Sequence, residues 1–138
     1  MMSRMEKLHL IVGLTTVILF SGTGVYLRLH QPPMTQIELG QRILLRSGHI
    51  YFLFSGLLNI IAGLRGDSHR SGKLSLIGSI LLLIAPILFV IGFFVESTTP
   101  NLDRPVTASG IFVAFGGVFL HFLEFTRART LRKRTTGP

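Results

Sequence analysis

Four long apolar segments constrain the fold of this chain more than any other feature of its sequence. They occupy residues 8–27, 50–64, 74–95 and 106–125, and each approaches the roughly 20 residues that a helix needs to cross a bilayer. Helices of a small soluble protein are rarely apolar on every side, because one face of each normally meets water. The pattern therefore predicts an all-α integral membrane four-helix bundle, in which residues 1–138 form a single transmembrane domain.

Charged and turn-forming residues at the ends of these segments set the boundaries of the predicted spans. The four spans, and the basic tail that follows them, cover about residues 8–28, 43–65, 74–96, 106–125 and 126–138. The second helix is expected to begin before its span, at about residue 36, because Thr35 and Glu38 have the spacing of a capping box. Short connections between the spans predict an up-down-up-down arrangement of neighbouring helices.

The first span also has features of a secretory signal, namely a basic start, an apolar middle and small residues at positions 21–24. Against cleavage, the apolar stretch resumes at residues 25–27 and is long for a signal peptide. We therefore interpret residues 8–28 as a retained span, with cleavage as the alternative. Either way, the later spans keep the same predicted orientation.

The basic residues are distributed unevenly between the two sides of the predicted bundle. Fourteen lysines and arginines against six acidic residues give a net charge of +8. With the N terminus inside, the inner segments carry ten of these cations and the outer segments carry four, which satisfies the positive-inside rule. Both termini are therefore predicted to be cytoplasmic, in a multi-pass protein of the cell (inner) membrane. Topology and attraction to anionic lipid explain the positive charge, so nucleic acid is not an expected partner.

Residues spaced seven apart form lines along three of the predicted helices. On the second helix, one line contains Arg42, His49, Gly56 and Gly63. Small residues on a membrane helix usually mark the close approach of a neighbouring helix, so the polar groups of this line are expected to face protein. Similar lines on the third and fourth helices predict tight packing within the bundle or in a homo-oligomer; they consist of Gly78, Ala85 and Gly92, and of Gly110 and Gly117.

The leading functional hypothesis is a ligand-binding face at the outer end of the bundle, formed by Arg42, Arg46, His49 and Glu96. Two arginines one turn apart suit a phosphate or a carboxylate, because a guanidinium donates two parallel hydrogen bonds. Glu96 is expected to pair with Arg42 or Arg46 and so to join the second helix to the third. This hypothesis describes a small polytopic membrane protein that binds a membrane lipid or a partner membrane protein.

The second hypothesis is a redox bundle that binds b-type haem or a quinone. Such a haem needs two neutral imidazoles that face inward at matched depth. The outer side of the bundle offers His49 with His30, and the inner side offers His9 with His121. All four lie near the ends of spans rather than deep within them, so no cofactor is assigned and haem or quinone remains an alternative.

The third hypothesis is a homo-oligomeric channel or transporter for a small solute, with Pro86 as a hinge in the third span. Proton-coupled transporters usually need an acidic residue in the middle of a span, and no span here has one. The main strongly polar residue within a span is Asn59, which is expected to make an interhelical hydrogen bond worth roughly 1 kcal/mol.

Several classes of enzyme and metal site are disfavoured by what the sequence lacks. Without cysteine, the chain has no disulfide, no thiolate metal site and no cysteine nucleophile. The sequence contains no GxSxG, HExxH, P-loop or dinucleotide-binding motif. We therefore assign no catalytic residue and no metal ligand, and the hypothesis of a binding protein is favoured over that of an enzyme.

Overall fold

The computed structural model describes residues 2–29, 36–65, 72–96 and 103–135, and this part of the chain forms helices and no strand. The helices, in chain order, are α1 (Arg4–Leu29), α2 (Leu39–Leu64), α3 (Lys73–Glu96) and α4 (Pro105–Thr135). Each of the four is long and apolar enough to cross a membrane. The prediction of an all-α chain with four such helices is confirmed.

The N-terminal ends of α1 and α2 differ from the sequence-based prediction. Ser3 and Glu6 form a reciprocal capping box on α1, because the Ser3 N–H donates to Glu6 Oε2 (2.8 Å) and the Glu6 N–H donates to Ser3 Oγ (3.2 Å). α2 begins at Leu39 rather than at about residue 36, and Glu38 at its N-cap makes no side-chain capping hydrogen bond. The predicted capping residue Thr35 lies outside the described residues.

α2 ends close to its predicted boundary, whereas α4 is longer than predicted. α2 ends at Leu64, close to the predicted end of its span. α4 continues to Thr135, beyond the predicted end of the fourth span at about residue 125. The described part of the basic tail is therefore a helical extension of α4.

α1 and α2 approach each other closely because glycines lie at their interface. A β-carbon on Gly13 would lie 2.8 Å from the backbone nitrogen of Ile60 and 2.9 Å from the carbonyl oxygen of Gly56. A β-carbon on Gly63 would lie 2.9 Å from the carbonyl oxygen of Glu6. The small-residue line predicted on α2 therefore faces α1, as close helix packing in membranes requires.

α3 and α4 form a second closely packed pair. A β-carbon on Gly78 would lie 3.0 Å from the carbonyl oxygen of Gly117, and the reciprocal distance is 2.9 Å. A β-carbon on Gly92 would lie 2.6 Å from Thr107 Oγ1, and one on Gly110 would touch the side chain of Phe89. The lines predicted on the third and fourth helices thus face the neighbouring helix of the same chain. This packing accounts for those lines without a second copy.

An apolar core between α2 and α3 joins the two helix pairs. Phe52, Ala85, Phe89 and Phe93 are all buried, and the rings of Phe52 and Phe93 pack with their centroids 5.3 Å apart. The four helices are thus held by two glycine-rich interfaces and one aromatic interface. This arrangement leaves polar side chains at both ends of the bundle and in its interior.

Candidate functional site

His49 faces α1, and its described contacts are with residues of that helix. Its ring stacks on Phe20 with the centroids 4.1 Å apart, and its Nδ1 lies 3.0 Å from Thr23 Oγ1. A β-carbon on Gly24 would lie 3.1 Å from Cε1 of this ring, so the glycine makes room for the imidazole. The expectation that this side of α2 faces protein is confirmed at His49.

Glu96 caps the N terminus of α4 from the end of α3. Its buried carboxylate accepts hydrogen bonds from the backbone N–H groups of Val106 (2.6 Å) and Thr107 (3.1 Å), and also from the Thr107 hydroxyl. A carboxylate in this position satisfies N–H groups that have no partner in the helix and interacts favourably with the helix dipole. The described contacts of Glu96 therefore lie with α4 rather than with Arg42 or Arg46.

Arg104 is the cation that the structure brings to Glu96, with Nε 3.9 Å from Oε2. It also donates hydrogen bonds to the hydroxyls of Ser47 and Thr107, and its guanidinium lies 5.7 Å from the centroid of the Tyr51 ring. These contacts tie α2, α3 and α4 together at one end of the bundle. Sequence reasoning missed Ser47 and Thr107, because a single hydroxyl near a helix end forms no recognisable pattern.

Among the described residues, Arg42 and Arg46 make no ion pair with Glu96. Arg42 is half-buried and Arg46 is exposed, and neither makes an ion pair with any residue in the described part of the chain. Arg46 shares one face of α2 with Ile43 and Ile50, whose side chains are more than half exposed. The structure thus divides the four predicted ligand-binding residues. Glu96 joins Arg104 and His49 faces α1, whereas Arg42 is half-buried and Arg46 is exposed.

A second polar cluster, centred on Asn59, lies inside the bundle. The Asn59 side chain is 0% exposed, its Oδ1 lies 2.7 Å from His9 Nδ1, and its Nδ2 donates to the carbonyls of Ser55 (3.0 Å) and Leu82 (2.8 Å). Leu82 is four residues before Pro86, which has no N–H to donate to that carbonyl. Asn59 therefore replaces the hydrogen bond that Pro86 removes from α3, and the prediction of an interhelical bond is confirmed.

The described histidines contact three different helices. Because both hydrogens of the Asn59 amide go to carbonyls, His9 Nδ1 is the donor to Oδ1, and His9 Nε2 is buried without a partner among the described residues. His49 contacts α1, and His121 Nε2 lies 3.3 Å from Ser79 Oγ on α3. His30 lies outside the described residues. A haem held by two of these histidines stays a prediction.

Neither a metal site among the described residues nor a similar protein indicates a function for the predicted outer site, so its chemistry has to be inferred from its own side chains. Within residues 2–29, 36–65, 72–96 and 103–135, no group of three His, Cys, Asp or Glu side chains could hold a metal ion. Comparisons with protein-family models, with curated proteins and with solved structures find no match to this chain. Of the predicted site, the two guanidinium groups of Arg42 and Arg46 thus remain for a ligand. The imidazole of His49 is engaged with α1, and the carboxylate of Glu96 is engaged in a helix cap.

Proposed function

We propose that the chain is a small multi-pass protein of the cell (inner) membrane, which crosses the bilayer up-down-up-down with both termini in the cytoplasm. Four apolar helices support this, as do exposed apolar side chains on their outer faces, such as Ile18 (70%) and Phe112 (77%). The contacts of Gly13 with Ile60, and of Gly92 with Thr107, join the early part of one helix to the late part of its neighbour. Such contacts support alternating helix directions.

The distance between the two arginines that flank the apolar part of α2 is close to the thickness of the hydrocarbon core of a bilayer. Arg46 and Arg65 are 19 positions apart in the sequence, which is about 28 Å along a helix that rises 1.5 Å per residue. This length is close to the ~30 Å thickness of the hydrocarbon core, and the segment between the two arginines has no charged residue. In the proposed orientation, Arg46 lies at the outer surface and Arg65 at the inner surface.

At the outer surface, the proposed function is to bind the phosphate of an anionic lipid through Arg42 and Arg46. The observation that carries this proposal is the position of Arg46, which lies between exposed Ile43 and Ile50 and has no ion pair in the described part of the chain. Arginines near the end of a membrane helix extend into the lipid headgroup region, where phosphate oxygens match the parallel donors of the guanidinium.

Glu96 has a supporting role in this proposal, because its carboxylate is occupied by the N terminus of α4 and by Arg104. It therefore leaves the positive charge of Arg42 and Arg46 available to a ligand. The alternative of an acidic segment from a partner membrane protein would use the same two arginines. The exposed isoleucines on either side of Arg46 favour the lipid, since this face of α2 would meet the bilayer directly.

The transport and haem hypotheses receive less support from the described contacts. The hydroxyls of Thr16, Ser21 and Thr23 on α1 donate to carbonyls one turn earlier in their own helix, and hydroxyls engaged in this way offer little to a passing solute. A haem between two of the described histidines would have to displace partners that lie on different helices. Both hypotheses therefore rank below lipid binding.

The proposed topology can be tested with reporter fusions. A fluorescent protein fused after Pro138 should be bright in the cytoplasm, and alkaline phosphatase fused at the same point should be inactive. Phosphatase fused after Pro100, in the proposed outer connection, should be active. The opposite pattern at Pro138 would reverse the proposed orientation of every helix.

The outer lipid site can be tested by removing both charges together, as Arg42→Gln with Arg46→Gln. We expect the wild-type protein in detergent to bind phosphatidylglycerol more tightly than phosphatidylcholine with the same chains, and the double variant to bind phosphatidylglycerol about tenfold more weakly, or roughly 1.4 kcal/mol. Native mass spectrometry and the lipid-dependent shift in thermal stability measure this difference.

The matched control is Arg4→Gln with Lys7→Gln, which removes the same charge from exposed positions near the N terminus. This control should retain the binding of the wild type. If the Arg42 and Arg46 variant also retained it, lipid phosphate would not be the ligand of this face, and an acidic partner segment would take its place.

A further inference from the structure

A groove lies between α2 and α4, at the end of the bundle opposite to Arg42 and Arg46. Both helices pack against α3, and the space between them is a pocket of about 190 Å³. Its apolar walls come from three helices and include Leu58, Ile61 and Ala62 of α2, Leu82 of α3, and Val118 and Phe122 of α4. The pocket is therefore built by residues that are far apart in the sequence.

Two side chains add polar character to this pocket. Arg65 lies at the C-terminal end of α2, where its guanidinium is 5.4 Å from the centroid of the Phe125 ring. Contact with an aromatic face uses the flat surface of a guanidinium and leaves its N–H groups able to bind an anion. His121 forms part of the wall, with Nε2 directed to Ser79 Oγ at 3.3 Å.

The groove continues beyond Phe125 along the helical extension of α4. An open hollow there is lined by Phe122, Phe125, Thr126, Arg129 and Thr130. Arg129 follows Phe125 by one turn on α4, so Phe125 has Arg65, just after the end of α2, over its ring and Arg129 beside it in the lining of the hollow. Along the groove, an apolar pocket is thus followed by a cationic rim.

We infer that this groove binds an anionic phospholipid of the inner leaflet, with part of one acyl chain in the pocket and the phosphate beside Arg65 and Arg129. The order of the groove, apolar and then cationic, matches the order of a phospholipid from chain to headgroup. At about 190 Å³, the pocket is smaller than the roughly 300–1,000 Å³ of sites that enclose a whole drug-sized ligand. It therefore suits a segment of a chain better than a haem.

The positive charge at the rim of the groove favours an anionic lipid as its occupant over an apolar helix from a second copy of the chain. Arg65, Lys73, Arg127 and Arg129 are all exposed at this end of the bundle, and cations at the inner membrane surface attract anionic lipid. A second copy of the chain would bring further cations of its own to the same rim. The inference depends on the proposed membrane insertion, but it does not depend on lipid binding at Arg42 and Arg46.

Filling the pocket tests the inference. Ala62→Phe places a ring in the pocket, whereas Gly22→Phe places the same ring on α1 at a site where a β-carbon would meet nothing within 4 Å. In native mass spectrometry of the full chain in detergent, we expect wild type and Gly22→Phe to bind phosphatidylglycerol in preference to phosphatidylcholine. Ala62→Phe should bind phosphatidylglycerol about tenfold more weakly at the groove, so that one fewer bound lipid is counted.

Arg65→Gln keeps the test decisive if Ala62→Phe does not fold, because Arg65 is exposed at a helix end. It should reduce the preference for phosphatidylglycerol, whereas Arg28→Gln, at an exposed position at the other end of the bundle, should leave that preference unchanged. Equal binding of both lipids by the wild type, or unchanged binding by Ala62→Phe and Arg65→Gln, would overturn the inference.

The variant that lacks Arg42 and Arg46 separates this inference from the proposed outer site. If that variant still preferred phosphatidylglycerol and Arg65→Gln did not, the result would support lipid binding in the groove and contradict lipid binding at Arg42 and Arg46. The reverse result keeps the outer site and overturns the groove. If Ala62→Phe instead converted a dimer to a monomer with lipid binding intact, the groove would belong to a second copy and the lipid inference would fail.

Discussion

Gly13→Ala is expected to lower the free energy of unfolding by roughly 1–3 kcal/mol, the usual cost of forcing an extra carbon into a packed interface. The new β-carbon would lie 2.7 Å from Ile60 Cγ1, 2.8 Å from the Ile60 backbone nitrogen and 2.9 Å from the Gly56 carbonyl oxygen. Two of these three atoms belong to the backbone of α2 and cannot rotate away. The substitution therefore has to push α1 and α2 apart along their whole line of contact.

Gly22→Ala on the same helix is the matched control. A β-carbon at Gly22 would meet nothing within 4 Å, so the only effect expected is the better helix propensity of alanine, worth up to about 1 kcal/mol. The two variants make the same chemical change in the same helix, and only the space around the new carbon differs. The expected signs of their stability changes are therefore opposite.

Thermal unfolding in one detergent, followed by circular dichroism, measures both variants beside the wild type. Gly13→Ala should unfold at a temperature several degrees lower, and Gly22→Ala at an equal or higher temperature. If Gly13→Ala matched the wild type, α1 and α2 would not approach as closely as the glycine contacts indicate. Equal losses in the two variants would instead point to a general effect of substituting glycine in α1.

The four long apolar helices and their contact faces were predictable because they depend on local spacing. A run of apolar residues measures the length of a membrane helix directly, and residues seven apart return to nearly the same side of it. On this basis, the line through Gly56 and Gly63 was expected to face protein, and it faces α1. The spacing could not predict which neighbouring helix each line of small residues contacts, because that depends on how the four helices pack around one core.

Helix rotation explains why the partner of Glu96 was not predicted. Arg46 and Ser47 are neighbours in the sequence but lie about 100° apart around α2, since the helix has 3.6 residues per turn. Ser47 accepts a hydrogen bond from Arg104, which lies beside Glu96, whereas Arg46 is exposed between two isoleucines. Arg42 and Arg46 were the expected partners of Glu96, but the packing of the helices brings Arg104 to it instead.

The capping box shows the same limit at the level of a motif. Ser3 and Glu6 have the same spacing and chemistry as Thr35 and Glu38. The first pair makes both reciprocal hydrogen bonds, whereas α2 begins only after Glu38, which makes no side-chain capping bond. A capping-box motif shows which residues are able to cap the N terminus of a helix. Whether they do so also depends on the angle at which the chain enters the helix.

Asn59→Leu is expected to cost at least about 2 kcal/mol, because it leaves two buried groups without partners and each such group typically costs ~1–3 kcal/mol. One is the Nδ1–H of His9, and the other is the Leu82 carbonyl, which Pro86 already deprives of its usual donor. The control is Ser55→Ala, because among the described residues the Ser55 hydroxyl bonds only to the Phe52 carbonyl in its own helix. Its cost should be below about 1 kcal/mol.

The background variant Pro86→Ala tests the reason for this cost. Alanine at position 86 restores a backbone N–H that can donate to the Leu82 carbonyl, so Asn59→Leu then leaves one orphaned group instead of two. In a double-mutant cycle measured by unfolding in detergent, the cost of Asn59→Leu should be about 1 kcal/mol smaller in the Pro86→Ala background. An equal cost in both backgrounds would mean that the Leu82 carbonyl does not depend on Asn59, and that the amide acts mainly through His9.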